Sequence, residues 1–272
     1  MTGPRTGAGA QAQPPHQTSL DVEALRHTFT RAGQVTHALD GLDVSVASGE
    51  LIAVVGPSGC GKSTLLRIAA GLLRPSSGRV CIGGKEVTGP QTDLGIVFQN
   101  PVLLDWRNVL ENVLIQIELR GLDVAHYMAR ARQLLTDVGL GDFQDRRPRE
   151  LSGGMRQRVA IVRALIHDPS LLMMDEPFGA LDALTREQMR IDLEKLWLAQ
   201  RHTLLFVTHG IAEAVALADR VLVMTPRPGR IERIITVDLP RPRDKAVVTS
   251  RRFTDYCDEI TECFMRYGVI RY

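Results

Sequence analysis

The chain has 272 residues, which is enough for one sizeable core or for a core domain with an inserted subdomain. Its 33 basic and 31 acidic residues leave a net charge of +2, so we expect no nucleic-acid partner. No apolar run approaches the roughly 20 residues that cross a bilayer. The N-terminus has no apolar signal core, and the four cysteines form no C-x-x-C pair, so we expect a reducing cytoplasm.

The chain begins with a polar segment and continues with strand patterns. Residues 1–18 are rich in Gly, Ala, Gln and Pro and have no periodic apolar residue, which predicts a disordered leader. Short alternating segments at 20–29 and 38–46 predict antiparallel strands, and the apolar run 51–55 predicts a buried strand. The chain from 63 to 70 then has the composition of a helix.

A glycine-rich turn joins this buried strand to the helix and fits the pattern G-x-x-x-x-G-K-[ST]. Its residues are Gly56, Pro57, Ser58, Gly59, Cys60, Gly61, Lys62 and Ser63. Such a turn directs backbone N–H groups and a helix N-terminus at the phosphates of a nucleotide. We expect Lys62 to reach the outer phosphates and the Ser63 hydroxyl to ligate Mg²⁺. A turn that needs glycine only for positive φ would require neither side chain, so the motif predicts binding of a nucleoside triphosphate.

The second half of the chain alternates helices and strands. Apolar residues at helical spacing between about 101 and 166 predict a helical subdomain inserted into an α/β core. Further predicted elements are parallel strands at 171–175, 203–207 and 221–224 and amphipathic helices at 184–200 and 211–218. The end of the chain carries apolar residues at helical intervals, which predict one packed terminal helix: Phe253, Tyr256, Ile260 and Phe264.

Five more motifs follow the glycine-rich turn in a fixed order. They are Gln99 after a strand, Leu151–Gln157 (LSGGMRQ), Asp175-Glu176 after a strand, Ala180-Leu181-Asp182, and Thr208-His209 after a strand. From about residue 20 to 240 the chain therefore resembles the ATP-binding subunit of an ABC transporter. The resemblance implies an α/β fold with a P-loop NTPase core and a mainly parallel sheet, an antiparallel β subdomain and an inserted α-helical subdomain. It implies an ABC ATPase domain at 19–240, a helical tail at 241–272, and ATP and Mg²⁺ as cofactors.

The Asp175-Glu176 pair has a chemical interpretation of its own. Asp175 ends a buried strand, at the edge where α/β folds place their sites, and a carboxylate there can hold the Mg²⁺ shell. Glu176 points to the other side and can polarise a water for attack on the γ-phosphate. The alternative is a pair of solvated carboxylates at a strand end.

The LSGGMRQ segment is a second device for binding an anion. Ser152 and the backbone amides of Gly153 and Gly154 begin a helix predicted over about 154–165, whose dipole attracts phosphate. Ser152 also serves as a simple N-cap. The family resemblance implies that this segment caps the γ-phosphate held by a second copy of the chain, in a head-to-tail dimer that encloses two ATP molecules.

The resemblance assigns roles to several other residues. A histidine at the position of His209 would contact the γ-phosphate and orient Glu176, although a lone histidine at a strand end is more often structural. Many relatives have an acidic residue where this chain has Gly210, which leaves the next helix without a side-chain cap and is expected to loosen this switch. The remaining members implied for nucleotide or metal binding are Thr64, Gln99, Gln157 and Asp182, with Gln99 as a ligand of Mg²⁺.

Two aromatic residues have alternative interpretations. Phe29 is the best match to the ring that stacks on adenine in relatives, with 30–36 as a long loop, and is otherwise a core residue. Trp106, with Leu103 and Leu104, lines a groove that receives a cytoplasmic helix of the membrane subunit in importers, and is otherwise a core residue.

Two short sequence segments indicate the subfamily. The segments 98–109 (FQNPVLLDWRNV) and 226–231 (PRPGRI) resemble the nitrate, sulfonate and taurine importer subfamily. Related importers of thiamine pyrimidine precursors, riboflavin or bicarbonate have similar sequences in these segments and are an alternative. A soluble ABC ATPase without a transport role is a further alternative. The resemblance implies a peripheral protein on the cytoplasmic face of the inner membrane, with an integral-membrane permease as a partner and, indirectly, a solute-binding protein.

Overall fold

A computed structural model of the protein describes residues 18–31 and 33–270, so the predicted leader lies outside the described residues except for Thr18. The strands are β1 (Thr18–Arg31), β2 (Gln34–Ala47), β3 (Leu51–Val55), β4 (Ser77–Ile82), β5 (Lys85–Glu86), β6 (Leu94–Val97), β7 (Leu171–Asp175), β8 (Thr203–Thr208), β9 (Arg220–Met224) and β10 (Ile231–Thr236). The α-helices are α1 (Lys62–Ala69), α2 (Val109–Leu119), α3 (Val124–Asp137), α4 (Gly153–Leu165), α5 (Ala183–Gln200), α6 (Ile211–Leu217), α7 (Lys245–Val248) and α8 (Arg251–Arg266).

A four-stranded antiparallel sheet has the order β2-β1-β4-β5. Its long hairpin pairs Phe29 with Thr36 and Arg31 with Gln34. The expected long loop at 30–36 is therefore wrong, because β1 and β2 stay paired up to Arg31 and Gln34. The hairpin carries Phe29 out to the edge of the molecule, beside the nucleotide site described below.

A six-stranded sheet has the order β10-β9-β3-β8-β7-β6, in which only β10 runs antiparallel to its neighbour. Every residue of β3 is buried. Ala53 and Val55 pack into the core on one face of the sheet, whereas Ile52 and Val54 pack into the core on the other. Burial on both faces explains the uninterrupted apolar run that predicted this strand.

The strand order matters for function because β8 lies between β3 and β7. The carboxyl ends of these three parallel strands are therefore adjacent, and Val55 pairs with Thr208 while Asp175 pairs with Val207. Polar residues that immediately follow each strand meet at one edge of the sheet, where ligands bind in open α/β folds.

Helices α2, α3 and α4 occupy the region predicted as a helical subdomain at about 101–166. Their apolar side chains, among them Val113, Leu135 and Val159, belong to the same buried cluster as Ala53 and Val55 of the central sheet. Asn108 and Glu111 form a capping box that begins α2. The division of the chain into domains stays a prediction.

The C-terminal segment packs on the same core. Phe253, Ile260 and Phe264 of α8 are buried, as the helical spacing predicted. The Arg243 side chain is also buried and donates 2.7 Å hydrogen bonds to the carbonyl oxygens of Val215 and Ala218. Burial lowers the pKa of Arg243 to about 10, and these carbonyl contacts compensate for the buried charge.

Candidate nucleotide site

The glycine-rich turn leaves β3 and enters α1 in a conformation that glycine makes possible. Gly59 has φ +77° and Gly61 has φ +108°, in the region that L side chains rarely adopt. A Cβ on Gly61 would also lie 2.5 Å from Cδ2 of Leu39 and 2.9 Å from the carbonyl oxygen of Ala38. Gly61 is therefore required both for its backbone conformation and for the close approach of β2.

Lys62 begins α1 and is almost completely buried. Its Nζ donates to the carbonyl oxygens of Gly56 at 2.8 Å and Pro57 at 3.3 Å. The same nitrogen lies 3.7 Å from Oε1 of Glu176. The ammonium group is thus held inside the turn, where it can neutralise phosphate charge.

Ser63 and Asp175, which are far apart in the chain, meet at the end of β7. The Ser63 hydroxyl donates to Oδ1 of Asp175 at 3.0 Å. Burial raises the pKa of the half-buried Asp175 carboxyl, while the hydrogen bond from Ser63 opposes that shift. Two oxygen ligands side by side fit Mg²⁺, which takes one or two protein oxygens and completes its shell with water and phosphate.

Glu176 follows β7 directly and adopts φ +46°, an uncommon conformation for a residue with a side chain. Its backbone N–H donates to the carbonyl oxygen of Val207 at 2.9 Å, which ties this strained residue to β8. Its Oε2 lies 3.3 Å from Nδ1 of His209. Strain of this kind persists where the surrounding structure holds it, often at active sites. The structure therefore brings the predicted pair Glu176 and His209 together beside Lys62.

The segment after His209 is held by a network that the sequence interpretation missed. Gly210 provides no side-chain cap to α6, as expected. The Thr208 hydroxyl instead accepts from the Gly210 N–H at 3.0 Å and donates to Oε2 of Glu213 at 2.6 Å. A Cβ on Gly210 would lie 3.0 Å from Cδ of Glu213, so the glycine makes room for this carboxylate. Thr208 and Glu213 thus hold this segment without a cap from residue 210, and the expected loosening of the switch stays a prediction.

Phe29 and the phosphate turn line one open cleft of about 460 Å³. Its lining includes Phe29, Arg31, Gln34 and Thr36 from the hairpin, Ser58, Gly59, Gly61, Lys62, Ser63 and Thr64 from the turn and α1, and Glu176 and Arg227. The Phe29 ring is 41% exposed, so it is not a core residue and is available for a flat ligand. The predicted base platform and the predicted phosphate cradle thus share one cleft. Arg31, Gln34 and Arg227 also line this cleft and were not predicted from the sequence.

The LSGGMRQ segment lies at a different cleft from Lys62. Ser152 caps α4 by accepting from the Met155 N–H at 3.2 Å, and it lines this cleft with Gly154 and Thr185. A Cβ on Gly154 would lie 2.5 Å from Cγ2 of Thr185. Within the protomer, therefore, the two predicted phosphate-binding devices do not form one site.

Three other predicted residues take separate positions. Asp182 caps α5, accepting from the Thr185 N–H at 3.0 Å and from the Thr185 hydroxyl at 2.7 Å. These two hydrogen bonds lower the pKa of Asp182. Gln99 is exposed, with Nε2 3.4 Å from where a Cβ on Gly179 would lie. Gln157 is buried and donates to the carbonyl oxygen of Phe98 at 3.4 Å. The Gln157 side chain is therefore turned away from solvent, and a direct nucleotide contact does not fit its position.

Trp106 is 70% exposed, so the interpretation as a core residue is wrong. Arg163 supports the preceding loop by donating to the carbonyl oxygens of Pro101 at 2.7 Å and Val102 at 2.8 Å. Next to this loop is a cleft lined in part by Phe98, Leu119 and Arg163. Phe98 and Leu119 are exposed apolar side chains on it. The loop and the cleft thus expose apolar side chains next to polar ones such as Arg163.

The glycine-rich turn, the buried lysine at the start of α1 and the Ser63–Asp175 contact at the end of a parallel strand define a P-loop nucleotide-binding protein. Comparison with known proteins identifies the family. The model of the ABC transporter family matches residues 39–179 of the chain.

The relatives agree with this match. The chain is 48% identical over 244 residues to an uncharacterized ABC transporter ATP-binding protein of Methanocaldococcus jannaschii, with 90% of each chain covered. It is 45% identical over 242 residues to the taurine import ATP-binding protein TauB of Burkholderia pseudomallei, covering 87% of this chain and 93% of the relative. It resembles the dimeric structure of a bacterial ABC transporter cassette with a TM-score of 0.71 and 30% identity, covering 80% of this chain and 98% of that chain. The chain belongs to the ABC transporter family and is an ATP-binding subunit with the ABC ATPase fold, as predicted.

Proposed function

We propose that this protein hydrolyses ATP to drive import of a small anionic or zwitterionic solute such as taurine, a sulfonate or nitrate. The observation that carries the ATPase part is the meeting of Lys62, Ser63, Asp175, Glu176 and His209 at the ends of three adjacent strands. Positioning and charge stabilisation supply most of the catalysis in phosphoryl transfer, and these residues supply both.

Nucleotide binding follows from the cleft. The base stacks on the face of the Phe29 ring. The phosphate oxygens accept hydrogen bonds from the backbone amides of the turn and from the Lys62 ammonium. Ser63 and Asp175 would hold Mg²⁺, which neutralises phosphate charge when bound. Thr64 lies beside Ser63 on the same cleft and completes the polar lining.

In this proposal Glu176 acts on the attacking water. Its carboxylate accepts a proton from that water, and Lys62 stabilises the negative charge that develops on the transferred phosphoryl group. His209, 55% exposed at its side chain, holds one carboxylate oxygen of Glu176 and would contact the γ-phosphate when ATP is bound. Gln99, whose side chain lies beside Gly179, would be a further Mg²⁺ ligand.

Dimerisation is supported by the separation of the two phosphate devices. Ser152 and Gly153 are exposed at the N-terminus of α4, and Ser152 and the buried Gly154 line a cleft that contains none of the Lys62 turn. A second copy placed head to tail would bring this helix terminus to the γ-phosphate held by Lys62. Asp182, at the N-terminus of α5, lies close in sequence to Thr185 of the same cleft. The solved cassette to which the chain is similar is dimeric, which supports a dimer.

Attachment to a membrane is proposed through a permease. Within residues 18–31 and 33–270, no helix combines the length and apolar character that a bilayer span needs. The loop of Trp106 and the cleft of Phe98 and Leu119 offer the apolar surface for a permease helix on the cytoplasmic face. ATP-driven closure of two subunits would move that helix.

The experiment is reconstitution with the integral-membrane permease and the solute-binding protein in liposomes. Uptake of labelled taurine, an alkylsulfonate and nitrate is compared with uptake of riboflavin, a thiamine pyrimidine precursor and bicarbonate. We expect ATP-dependent uptake of the first group and none with Lys62→Ala. Uptake of only the second group would refute the solute assignment, and ATP hydrolysis that neither permease nor binding protein stimulates would refute the transport role.

A further inference from the structure

The loop between β9 and β10 carries the Pro226-Arg227-Pro228-Gly229-Arg230 segment, to which the proposed mechanism gives no role. Met224 ends β9 and Ile231 begins β10, so this loop leaves the sheet at the same edge as the phosphate turn. Arg227 lines the nucleotide cleft together with Lys62 and Glu176.

Gly229 inserts the backbone of this loop between β2 and the phosphate turn. Its N–H donates to the carbonyl oxygen of Ala38 at 2.9 Å, and its own carbonyl oxygen accepts from the Asp40 N–H at 3.0 Å. Gly229 is buried, and a Cβ there would lie 2.1 Å from the carbonyl oxygen of Cys60. The approach of two backbones leaves no space for a side chain, so the loop is a wall of the phosphate turn.

Arg227 extends from this wall over the turn. Its Nε and Nη2 both donate to the carbonyl oxygen of Gly59, at 3.1 and 3.0 Å. The Cys60 N–H at the other end of the same planar peptide donates to the carbonyl oxygen of Pro57 at 3.2 Å. Both ends of the Gly59–Cys60 peptide are therefore held, which sets the direction in which the following amides enter the cleft.

The loop that carries Arg227 is itself well anchored. The Thr225 hydroxyl donates to the carbonyl oxygen of Pro228 at 3.0 Å and accepts from the Arg230 N–H at 3.0 Å. Arg230 Nε donates to Oδ2 of Asp40 on β2 at 3.0 Å. Arg227 thus acts from a fixed base, so little rotational freedom is lost when its guanidinium is bound at Gly59.

We propose that Arg227 is a positioning residue for nucleotide binding, which acts through the Gly59 carbonyl to hold the phosphate turn in its binding conformation. The inference rests on the phosphate-turn part of the proposed function. Because the turn amides cradle the phosphates common to both nucleotides, a positioning role affects ADP and ATP alike. A guanidinium that contacted the γ-phosphate directly would affect ATP alone.

The test measures the affinity of the full-length protein for ADP and for a non-hydrolysable ATP analogue, by titration calorimetry with Mg²⁺. For Arg227→Ala we expect Kd to rise about three- to tenfold for both nucleotides, a range set by an exposed hydrogen bond from a charged donor. Arg227→Lys should recover part of the affinity, because its single ammonium nitrogen can replace one of the two hydrogen bonds to the Gly59 carbonyl oxygen. KM for ATP should rise in step, while kcat stays within about twofold of wild type.

The matched control is Arg233→Ala, which removes another exposed arginine. Arg233 lies on β10 and pairs with Glu259 of α8 at 2.8 Å. The control should leave both Kd values and KM unchanged. The melting temperature of the nucleotide-free Arg227→Ala protein should equal that of the control, since Arg227 is exposed. Gly229→Ala introduces a methyl group at the buried contact between the same loop and the phosphate turn. It should weaken the binding of ADP and of the ATP analogue by the same factor, larger than that for Arg227→Ala.

Several results would overturn the inference. Unchanged affinities for Arg227→Ala would show that the Gly59 contact is without effect, and a loss confined to the ATP analogue would assign a direct phosphate contact instead. A common loss accompanied by a lower melting temperature without nucleotide, absent in the control, would indicate a general structural role. Wild-type protein that bound neither nucleotide would refute the proposed function itself, which separates the two failures.

Discussion

Replacing Glu176 with glutamine tests the catalytic assignment most directly. The amide has the same size and keeps a hydrogen-bonding partner in His209, 3.3 Å from the present carboxylate oxygen. The backbone at φ +46° is equally strained for either side chain. The substitution also removes an ion pair at 3.7 Å with the buried Lys62, whose ammonium keeps its hydrogen bonds to the carbonyl oxygens of Gly56 and Pro57. What the substitution removes is the negative charge that takes the proton from water.

The expected effect on turnover follows from this geometry. Loss of a positioned general base lowers the rate by about 10²–10⁴-fold. Because His209 and Lys62 remain in place, we expect the middle of that range, about 10³-fold, which corresponds to roughly 4 kcal/mol in activation free energy. Nucleotide affinity should persist or improve, since the carboxylate no longer repels the phosphates beside Lys62.

The assay is phosphate release at saturating ATP, together with size-exclusion chromatography in ATP and Mg²⁺. The variant should accumulate as an ATP-bound dimer, because closure is retained while hydrolysis is blocked. Glu259→Gln is the matched control, a carboxylate on the surface that pairs with Arg233 at 2.8 Å, and it should behave as wild type. Hydrolysis by Glu176→Gln within about threefold of wild type would remove Glu176 from the role of general base.

Four further predictions concern other parts of the protein. Lys62→Ala should abolish hydrolysis and weaken binding of a fluorescent ATP analogue, because the charge held at Gly56 is lost; near-normal turnover would contradict the phosphate-turn assignment. Ser152→Arg should block ATP-dependent dimerisation, measured by light scattering, while leaving ATP binding to the monomer intact; unimpaired hydrolysis would contradict the head-to-tail dimer. Trp106→Ala should reduce co-purification with the permease without changing basal hydrolysis, since the side chain is 70% exposed; an undiminished complex would argue against the docking surface. Burial, helped by the nearby Arg120, lowers the pKa of His167 from 6.5 to about 4, so the folded protein should lose stability as pH falls from 6.5 towards 4. His167→Gln should remove about 1–2 kcal/mol of that loss in urea titrations, a value reduced for the partial exposure of the ring, and an identical pH dependence in both proteins would refute the assignment.

Local patterns in the sequence were sufficient to predict the elements that bear the site. The apolar run 51–55, buried on both faces of the sheet, is β3, and the glycine-rich turn after it leads into α1 as predicted. Asp175 likewise ends a strand and His209 follows one directly, as the apolar runs before them predicted. These features are determined over a few residues by backbone propensity, side-chain size and burial, which a sequence displays directly.

The tertiary structure decided which of these local features meet. Nothing in the spacing of Ser63 and Asp175 states that their side chains lie 3.0 Å apart, because that contact depends on β8 lying between β3 and β7. The same holds for Glu176 and His209, and for Arg227 above the Gly59 carbonyl.

Exposure of individual side chains was also decided at this level. The sequence left Trp106 either at a docking groove or in the core, and the ring is exposed, whereas Gln157, predicted to bind nucleotide, is buried against Phe98. Composition and periodicity describe one segment at a time, whereas exposure depends on every element packed against it. The sequence by itself thus determined the class of site and most of its residues. Strand order and the packing of distant loops determined the contacts that hold the site in place, because these are properties of the whole sheet rather than of any local segment.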